Sequence, residues 1–274
     1  MTQKEKALRL RQLHLEKSLL ILPNAWDVTS AKLVELSGFP AVATASAAMS
    51  LANGYEDGEK IPFDAVLKLL SAIAKQISVP LTADVEHGFA AEPEALKQNT
   101  QALIQAGVAG INLEDGKPGH QGLETTTNQC RRIEAVRQAA EQSGIPLVIN
   151  ARLDLFLQRP GNEHNLPEAI ERAKAYINAG ADCVYPIMIN QYEHIRLLVM
   201  ETGAPVNVNL QKAVSDLRRL EAIGVSRVSL GPGFLNYALA KMHHLARDLR
   251  EYNTTSYFDQ APLPRDVLHQ LLYQ

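Results

Sequence analysis

The chain has 274 residues, 46% of them hydrophobic, and a formal net charge of −3 at pH 7. This length allows a large core and suits an α/β barrel that stands as one domain. The charge gives no electrostatic reason to expect a nucleic acid or an anionic membrane as a partner. Because the sequence has no apolar run of about 18 residues and only two cysteines, we expect a cytoplasmic protein without a disulfide framework.

Residues 1–17 have the pattern of a short amphipathic helix, and eight short apolar or β-branched runs follow it at roughly regular spacing. Segments with helical periodicity, such as 62–77 and 166–180, lie between the runs. Strands that alternate with such helices indicate parallel βαβ units. The runs are Leu19–Pro23, Ala41–Ser46, Pro80–Glu86, Gly110–Asp115, Pro146–Arg152, Cys183–Met188, Pro205–Leu210 and Arg227–Pro232.

The turns that lead into these runs alternate along the chain. Runs two, four, six and eight follow a glycine, as expected after a left-handed helix cap, whereas runs three, five and seven are entered through proline. A barrel of repeated (βα)₂ quarters has this period of two. We therefore predict one (β/α)₈ TIM barrel domain over 1–274, with an N-terminal helix and a C-terminal helical extension. The alternative is an open doubly wound sheet, whose dinucleotide-binding version is excluded because no G-x-G-x-x-G follows the first strand.

Two connections are longer than usual, Ala47–Ile61 and Gly116–Thr127. Both leave the C-terminal ends of predicted strands, where the active site of such a barrel is built, so we expect both to lie over the site. The second connection contains three glycines and has the composition of a mobile lid. Asp57, in the first connection, has by composition alone the pattern of an ordinary solvated turn acid.

Acidic residues stand where predicted strands stop. Asp84 and Glu86 are two apart on one strand and should share the face that points into the barrel mouth, and Glu114 ends the next strand. Converging carboxylates repel one another unless a cation binds between them, and oxygen ligands with room for water suit Mg²⁺ or Mn²⁺. The alternative for each acid alone is pairing with a lysine or capping of a helix.

Arg152 should face inward near the top of the fifth strand, where a guanidinium can hold a carboxylate bidentately. A structural ion pair with Glu114 or Asp84 is the alternative, and the two roles are compatible. His87 and His120 lie beside the predicted mouth and are candidate acid/base groups.

Seven sequence pieces, in this order and spacing, resemble the isocitrate lyase/phosphoenolpyruvate mutase superfamily over nearly the whole chain. They are PNAWD (23–27), ATASAA (43–48), LANGYEDGE (51–59), TADVEHGF (82–89), INLEDG (111–116), INARLD (149–154) and SLGPG (229–233). The resemblance implies a modified barrel whose C-terminal helix is swapped between partners, usually in a dimer of dimers. It also implies Mg²⁺-dependent chemistry on 2-oxo acids through an enolpyruvate-like intermediate.

The resemblance further implies roles for particular residues. Asp84 corresponds to the direct metal ligand, and Asp57, Glu86 and Glu114 correspond to acids that hold its waters. Arg152 corresponds to the substrate-carboxylate binder. The backbone of four consecutive residues corresponds to an oxyanion and carboxylate cradle; these are Thr44, Ala45, Ser46 and Ala47.

The chain departs from the family patterns in the lid. Isocitrate and methylisocitrate lyases carry Lys-(Lys/Arg)-Cys-Gly-His there, with the cysteine as general acid, whereas this chain has Lys117-Pro-Gly-His120. The missing cysteine counts against those two activities. The mutases continue into Pro-Lys-x-Asn-Ser, which is also absent, and Glu86 replaces the second aspartate of the usual Asp-x-Asp pair.

These features together predict a Mg²⁺-dependent lyase that breaks a C–C bond in a small 2-oxo acid or a related di- or tricarboxylate, by decarboxylation or a retro-aldol step. Lys117 and His120 would act near the leaving group. Three residues at the tops of strands six and seven are predicted specificity contacts, with barrel packing as the alternative: Tyr185, Asn207 and Asn209.

Two other functions remain open. A mutase or hydrolase acting on phosphonopyruvate would break a P–C bond, but it would need an anion pocket for the phosphonate, and no second arginine is evident beside the site. A catalytically weak protein that binds 2-oxo acids is the third reading, and the retention of all four acids with Arg152 argues against it.

Overall fold

The structure, a computed structural model, describes residues 1–120, 122–162, 164–258 and 262–273. Nine short strands, all paired in parallel, lie within these residues. They are β1 (Leu20–Leu22), β2 (Asn24–Ala25), β3 (Val42–Thr44), β4 (Leu81–Asp84), β5 (Gly110–Glu114), β6 (Val148–Leu153), β7 (Cys183–Pro186), β8 (Asn207–Asn209) and β9 (Arg227–Ser229).

The strands form a closed ring. One run of neighbours is β2-β3-β4-β5-β6-β7, and the other is β1-β9-β8. Pro23 separates β1 from β2 within one chain segment, and a parallel bridge between Val184 and Val206 joins β7 to the segment that enters β8. The two runs therefore close into an eight-stranded barrel, which confirms the predicted fold class.

Helices alternate with the strands around the ring. The helix predicted at 62–77 is observed at Phe63–Gln76, one residue shorter at each end. The helix predicted at 166–180 is observed at Asn165–Asn178, beginning one residue earlier and ending two residues earlier. The helices are α1 (Gln3–Leu15), α2 (Val28–Leu36), α3 (Ser46–Ala52), α4 (Phe63–Gln76), α5 (Pro93–Gln105), α6 (Thr126–Gln142), α7 (Leu155–Gln158), α8 (Asn165–Asn178), α9 (Tyr192–Thr202), α10 (Leu217–Ala222), α11 (Gly233–Arg250), α12 (Thr255–Phe258) and α13 (Arg265–Tyr273).

The N-terminal helix α1 covers the floor of the barrel, opposite the strand ends that carry the acids. Thr2 begins it with a capping box in which Thr2 and Glu5 satisfy each other's backbone N–H groups. Its buried Leu10 packs against the floor so closely that a Cβ at Gly110 would lie 2.7 Å from a Leu10 methyl carbon. Gly110 is therefore the residue that lets α1 seal this end.

Two local features differ from the sequence predictions. The first long connection begins with helix α3 rather than running as a loop from Ala47. Glu86 lies beyond β4, which ends at Asp84, and has a positive φ of 53°. The chain therefore turns sharply after β4, and Glu86 reaches the barrel mouth from this turn instead of from the strand.

Within the described part of the chain, no helix is both long enough and apolar enough to cross a membrane.

Candidate active site

Asp84 stands at the end of β4 and is held there by neighbouring strands and helices. Ser46, at the start of α3, donates its backbone N–H (3.3 Å) and its hydroxyl (3.1 Å) to Asp84 Oδ2. The backbone N–H of Asp84 in turn donates to Thr44 Oγ1 at 3.1 Å. The side chain of Thr44 therefore supports β4, while Ser46 orients the carboxylate at the mouth.

Glu86 is a buried acid with an unused oxygen. Its Oε2 accepts the backbone N–H of Glu59 at 2.7 Å, whereas its Oε1 is buried and has no hydrogen-bond partner among the described residues. Burial, followed by the charges of Asp57 and Asp84, raises the pKa of Glu86 to about 8. A buried acceptor without a donor is costly, so a cation or water ligand fits this position.

Asp57 reaches the site because its loop is tied to the segment after β4. Glu59 donates its backbone N–H to Glu86, and its carboxylate accepts the backbone N–H of Phe89 at 2.5 Å. Partial burial and the charge of Asp84 raise the pKa of Asp57, although much of the side chain remains in contact with solvent. The acid that composition alone describes as an ordinary turn residue therefore lies at the mouth.

Arg152 lies between two carboxylates. Its Nη1 is 2.6 Å from Glu114 Oε2, and its Nε and Nη2 donate to the two oxygens of Asp154 at 2.8 and 3.0 Å. Burial raises the pKa of Glu114 well above its usual value despite the nearby guanidinium. A guanidinium has five N–H donors, so the three contacts leave two for a ligand.

Two adjacent cavities lie above these residues, with Ser46, Asp57 and Arg152 among the residues that line both. The lid cavity, of about 130 Å³, is also lined by Glu86, Glu114, Lys117 and Asp154. The barrel cavity, of about 180 Å³, is also lined by Asn24, Ala45, Ala47, Asp84, Asn112, Tyr185, Asn209 and Ser229. Both are small, and acids outnumber the basic residues that line them, so a small anionic ligand suits these cavities only together with a cation.

The segment predicted to be a lid folds back as a hairpin. Gly116 pairs with Leu123, Lys117 N–H donates to the carbonyl of Gly122 at 2.9 Å, and the hairpin stands over the lid cavity. A Cβ at Gly116 would lie 2.6 Å from Asp154 Oδ2, so only glycine allows this approach. The backbone of His120 ends a short 3₁₀ turn, and its side chain lies outside the described part of the structure.

The donor set fits a hard divalent cation held largely through water. Asp84, Glu86 and Glu114 supply carboxylate oxygens, and Glu86 Oε1 is buried without a partner. In the described ranges, no group of three or more Asp, Glu, His or Cys residues is arranged to hold a metal directly. Mg²⁺ keeps several waters and typically takes only one or two carboxylates from the protein, so the two observations are compatible.

Residues 10–250 match the family model described as phosphoenolpyruvate phosphomutase. The chain belongs to the isocitrate lyase/phosphoenolpyruvate mutase superfamily. It is 30% identical to the 2-methylisocitrate lyase of Halalkalibacterium halodurans over 216 residues, which cover 76% of this chain and 69% of that enzyme. The superfamily relatives are lyases and mutases, so the chain is an enzyme of this kind.

Solved structures agree with the barrel. A crystal structure of a protein from Burkholderia cenocepacia J2315 is 31% identical and superimposes with a TM-score of 0.90, covering 97% of this chain and 95% of that one. A phosphonopyruvate hydrolase solved with oxalate and Mg²⁺ has a TM-score of 0.84 at 22% identity, covering 98% and 95%. At that identity the second likeness concerns the fold.

Most of the remaining predicted site residues lie on the wall of the barrel cavity or directly below it. Ala45 and Ala47 line the barrel cavity, as do Tyr185 and Asn209, whose side chains bond to each other at 3.2 Å. Burial raises the pKa of Tyr185 to about 12. Asn207 is fully buried below the cavity and donates to Ser229 Oγ at 3.1 Å.

His87, a candidate acid/base group, is buried beneath the lid hairpin, with its Nε2 3.2 Å from Glu124 Oε1. Burial, followed by the charge of Arg132, lowers the pKa of His87 to about 4. The imidazole is therefore neutral at physiological pH.

Sequence reasoning missed four polar residues of the inner barrel wall: Asn24, Asn112, Arg227 and Ser229. Arg227 lines neither cavity, but its buried side chain donates to Asn112 and Ser229, which line the barrel cavity, so a second arginine lies behind the wall of the site. The sequence does contain a signal for Arg227, because it is a charged residue in the eighth apolar run. It stands two positions before Ser229, so strand periodicity places both side chains on the inward face.

Proposed function

We propose that this enzyme is a Mg²⁺-dependent lyase, with Mn²⁺ as a possible substitute, that breaks a C–C bond in a small 2-oxo acid or a related di- or tricarboxylate. The observation that carries the proposal is the convergence of Asp57, Asp84, Glu86 and Glu114 on two adjacent cavities that share Arg152. A decarboxylation or a retro-aldol step fits best, since neither strictly requires the lid cysteine that the chain lacks.

In this proposal, Asp84 holds the cation directly, and Asp57, Glu86 and Glu114 hold its waters. The phosphonopyruvate hydrolase of the same fold was solved with Mg²⁺ and oxalate, which supports this choice of metal. When bound, Mg²⁺ supplies Lewis-acid stabilisation of the negative charge that develops on an enolate oxygen.

The side chains around the cation would bind and orient the substrate. Arg152 holds its carboxylate with the two N–H groups that Glu114 and Asp154 leave free, and the backbone from Thr44 to Ala47 cradles the oxyanion. Lys117 and His120 act near the leaving group, and the hairpin over the lid cavity excludes water that would protonate the enolate in the wrong place. Tyr185 and Asn209 contact the distal group, and Asn207 supports that wall from below.

A second candidate is a mutase or hydrolase that breaks a P–C bond in phosphonopyruvate. The family model that matches residues 10–250 is that of phosphoenolpyruvate phosphomutase, which favours this chemistry. Among the described residues that line the two cavities, however, Arg152 is the one arginine, and it is already engaged by Glu114 and Asp154.

The test is pyruvate release with Mg²⁺ from oxaloacetate, methylisocitrate and phosphonopyruvate, offered separately. Asp84→Asn should lower the rate at least about 100-fold because it removes the charge that holds the cation. Glu94→Gln, in the exposed first turn of α5, is the matched control and should leave the rate unchanged. Pyruvate release or phosphoenolpyruvate formation from phosphonopyruvate alone would select the hydrolase or the mutase form of the second candidate, respectively. Pyruvate release from methylisocitrate would show that the missing cysteine is not decisive.

Neither pyruvate nor phosphoenolpyruvate from any of the three, combined with tight binding of oxalate, would favour a protein that binds 2-oxo acids without turnover.

We further propose that the whole chain acts as one catalytic domain in a homo-oligomer, a dimer of dimers with a swapped C-terminal helix, in the cytoplasm. The exposed apolar side chains of α11 support the oligomer, since they include Tyr237 at 69% and Met242 at 65% exposure. The two free cysteines, Cys130 and Cys183, suit a reducing compartment.

A further inference from the structure

Arg227 is an unusual residue for the interior of a barrel. Its side chain is completely buried, its Nε donates to Ser229 Oγ at 3.2 Å, and its Nη2 donates to Asn112 Oδ1 at 3.3 Å. Nη1 is buried with no partner, and no carboxylate among the described residues is within ion-pair distance of the guanidinium. The hydrogen-bond partners of the Arg227 guanidinium are therefore all neutral groups.

Stability does not explain this arrangement. Removing a guanidinium from water is costly, and replacing a buried charge with an apolar side chain of similar volume is often neutral or stabilising. The two acceptors also have other donors, because Asn112 Oδ1 accepts from Asn150 Nδ2 at 2.8 Å and Ser229 Oγ accepts from Asn207 Nδ2 at 3.1 Å. Neither oxygen would be left without a partner if Arg227 were apolar.

The two donors do determine which way the amide of Asn112 faces. Arg227 and Asn150 both point N–H groups at Oδ1, and an acceptor oxygen is the only end of the amide that can receive them. Oδ1 is thereby directed into the barrel interior. Because Asn112 lines the barrel cavity, its Nδ2 is left as the end that can face the ligand.

We propose that Asn112 binds an anionic oxygen of the substrate through its side-chain N–H₂ and that Arg227 is the positioning residue that fixes this amide and makes the wall behind it electropositive. The proposal rests on the proposed function, since it assumes a 2-oxo acid in the barrel cavity. It adds a donor on β5 and a buried cation on β9 to the direct contact made by Arg152.

Two electrostatic effects agree with a charge placed close behind this wall. Burial lowers the pKa of Arg227, and the acidic groups of Cys183, Tyr185 and Asp84 oppose this effect. Burial raises the pKa of Tyr185 to about 12, and Arg152 and, to a smaller extent, Arg227 oppose that effect. The guanidinium therefore interacts electrostatically with Tyr185 and Asp84, which both line the barrel cavity.

The experiment measures the dissociation constant of oxalate in the presence of Mg²⁺ by calorimetry, together with Tm. Asn112→Asp keeps the size of the side chain and both interior hydrogen bonds, and it gives Arg227 a counter-ion, so Tm should be retained or raised. It also presents an acceptor in place of a donor, so oxalate affinity should fall about tenfold or more. Asn178→Asp, on the exposed end of α8, is the matched control and should bind oxalate like the wild type.

Arg227→Met tests the positioning residue separately. We expect Arg227→Met to bind oxalate about tenfold more weakly, with an unchanged or higher Tm. Arg227→Lys should recover part of the affinity, because it keeps the positive charge but lacks the planar set of guanidinium donors. Arg218→Met, at an exposed position of α10, is the control. A purely structural Arg227 would instead give a lower Tm with unchanged oxalate affinity.

Wild-type affinity in both Asn112→Asp and Arg227→Met would overturn this inference. Failure of the wild-type protein itself to bind oxalate with Mg²⁺ would instead overturn the proposed function.

Discussion

At the scale of single residues, Arg152 interacts with more charged groups of the site than its neighbours do, since it pairs with both Glu114 and Asp154. It must neutralise Glu114 and Asp154 and still hold a substrate carboxylate. We predict that Arg152→Lys lowers kcat/KM about 100-fold. An ammonium cannot contact the oxygens of Glu114 and Asp154 in the geometry of the planar guanidinium, and disrupting a buried charge pair costs about 2–5 kcal/mol. Steady-state kinetics on the substrate that releases pyruvate would measure the effect.

The control for this change is Arg159→Lys, which alters a surface pair with Glu168. It should change kcat/KM by less than about twofold, since exposed pairs contribute little. An Arg152→Lys enzyme with wild-type kcat/KM would mean that the guanidinium is a structural counter-ion alone.

We predict that His14 makes the stability of the fold depend on pH, and that this effect is separate from catalysis. It is buried on α1, with Nδ1 2.8 Å from the carbonyl of Leu10, and burial followed by the charge of Arg227 lowers its pKa to about 4. The unfolded state binds a proton below about pH 6.5 while the folded state does not until about pH 4. The free energy of unfolding should therefore fall by about 3 kcal/mol as the pH drops through this window and be unaffected by His14 above it.

Urea unfolding between pH 4 and pH 8, comparing the wild type with His14→Asn, measures this contribution as the difference between their slopes. Asparagine can retain the donor to Leu10 but does not titrate. His243→Asn, at an exposed position of α11, is the control and should keep the wild-type slope. Equal pH slopes in the wild type and His14→Asn would contradict the assignment.

Residues of the site differ in how far the sequence predicts them. Asp84 and Glu114 follow from local patterns, because an acid that ends an apolar run is visible in the run itself. Asp57 is found through the family resemblance, since what brings it to the mouth is the contact between Glu59 and Glu86, which are 27 positions apart. Arg227 and Asn112 are 115 positions apart, and strand periodicity shows that they face inward but not that they meet.

At the scale of elements, the hairpin that begins at Gly116 depends on close approach to Asp154. We predict that Gly116→Ala lowers kcat/KM about tenfold or more, because the new Cβ pushes Asp154 Oδ2 away and Arg152 moves with it. The free energy of unfolding should fall by about 1–3 kcal/mol, as it does at other overpacked positions. Kinetics and denaturant unfolding on the same variant measure both effects.

Gly233→Ala is the control, since a Cβ there would meet no atom within 4 Å. An unchanged kcat/KM in Gly116→Ala would show that the hairpin can move away without disturbing the Arg152 cluster.

Apolar runs and the turns between them predict the order of strands and helices well, because each depends on neighbouring residues. The ends of elements depend on tertiary contacts and are predicted less well. The run Pro80–Glu86 continues past the observed end of β4 because Val85 is buried although the chain has already turned. Helix α3 has seven residues, too few for its periodicity to be distinguished from that of a loop.

For the whole molecule, helix α11 gives the clearest prediction. Only Leu235 and Asp248 of its 18 residues are buried, and several large apolar side chains are exposed. We predict that the wild-type protein sediments as an oligomer at micromolar concentration and that Tyr237→Glu with Met242→Glu dissociates it, because two charges would enter an apolar interface. Sedimentation velocity measures both.

Arg218→Glu, which adds the same charge on α10 away from this face, should leave the oligomer intact. A wild-type protein that sediments as a monomer at micromolar concentration would rule out the swapped arrangement.

The central claim is that the acids around Asp84 hold a divalent cation on which the binding of a 2-oxo acid depends. Its most direct test is a calorimetric titration of oxalate into the wild type and Asp84→Asn, each with and without Mg²⁺. We predict binding to the wild type only when Mg²⁺ is present and no binding to Asp84→Asn in either condition. Oxalate binding of equal strength without Mg²⁺, or unchanged binding to Asp84→Asn with Mg²⁺, would contradict the claim.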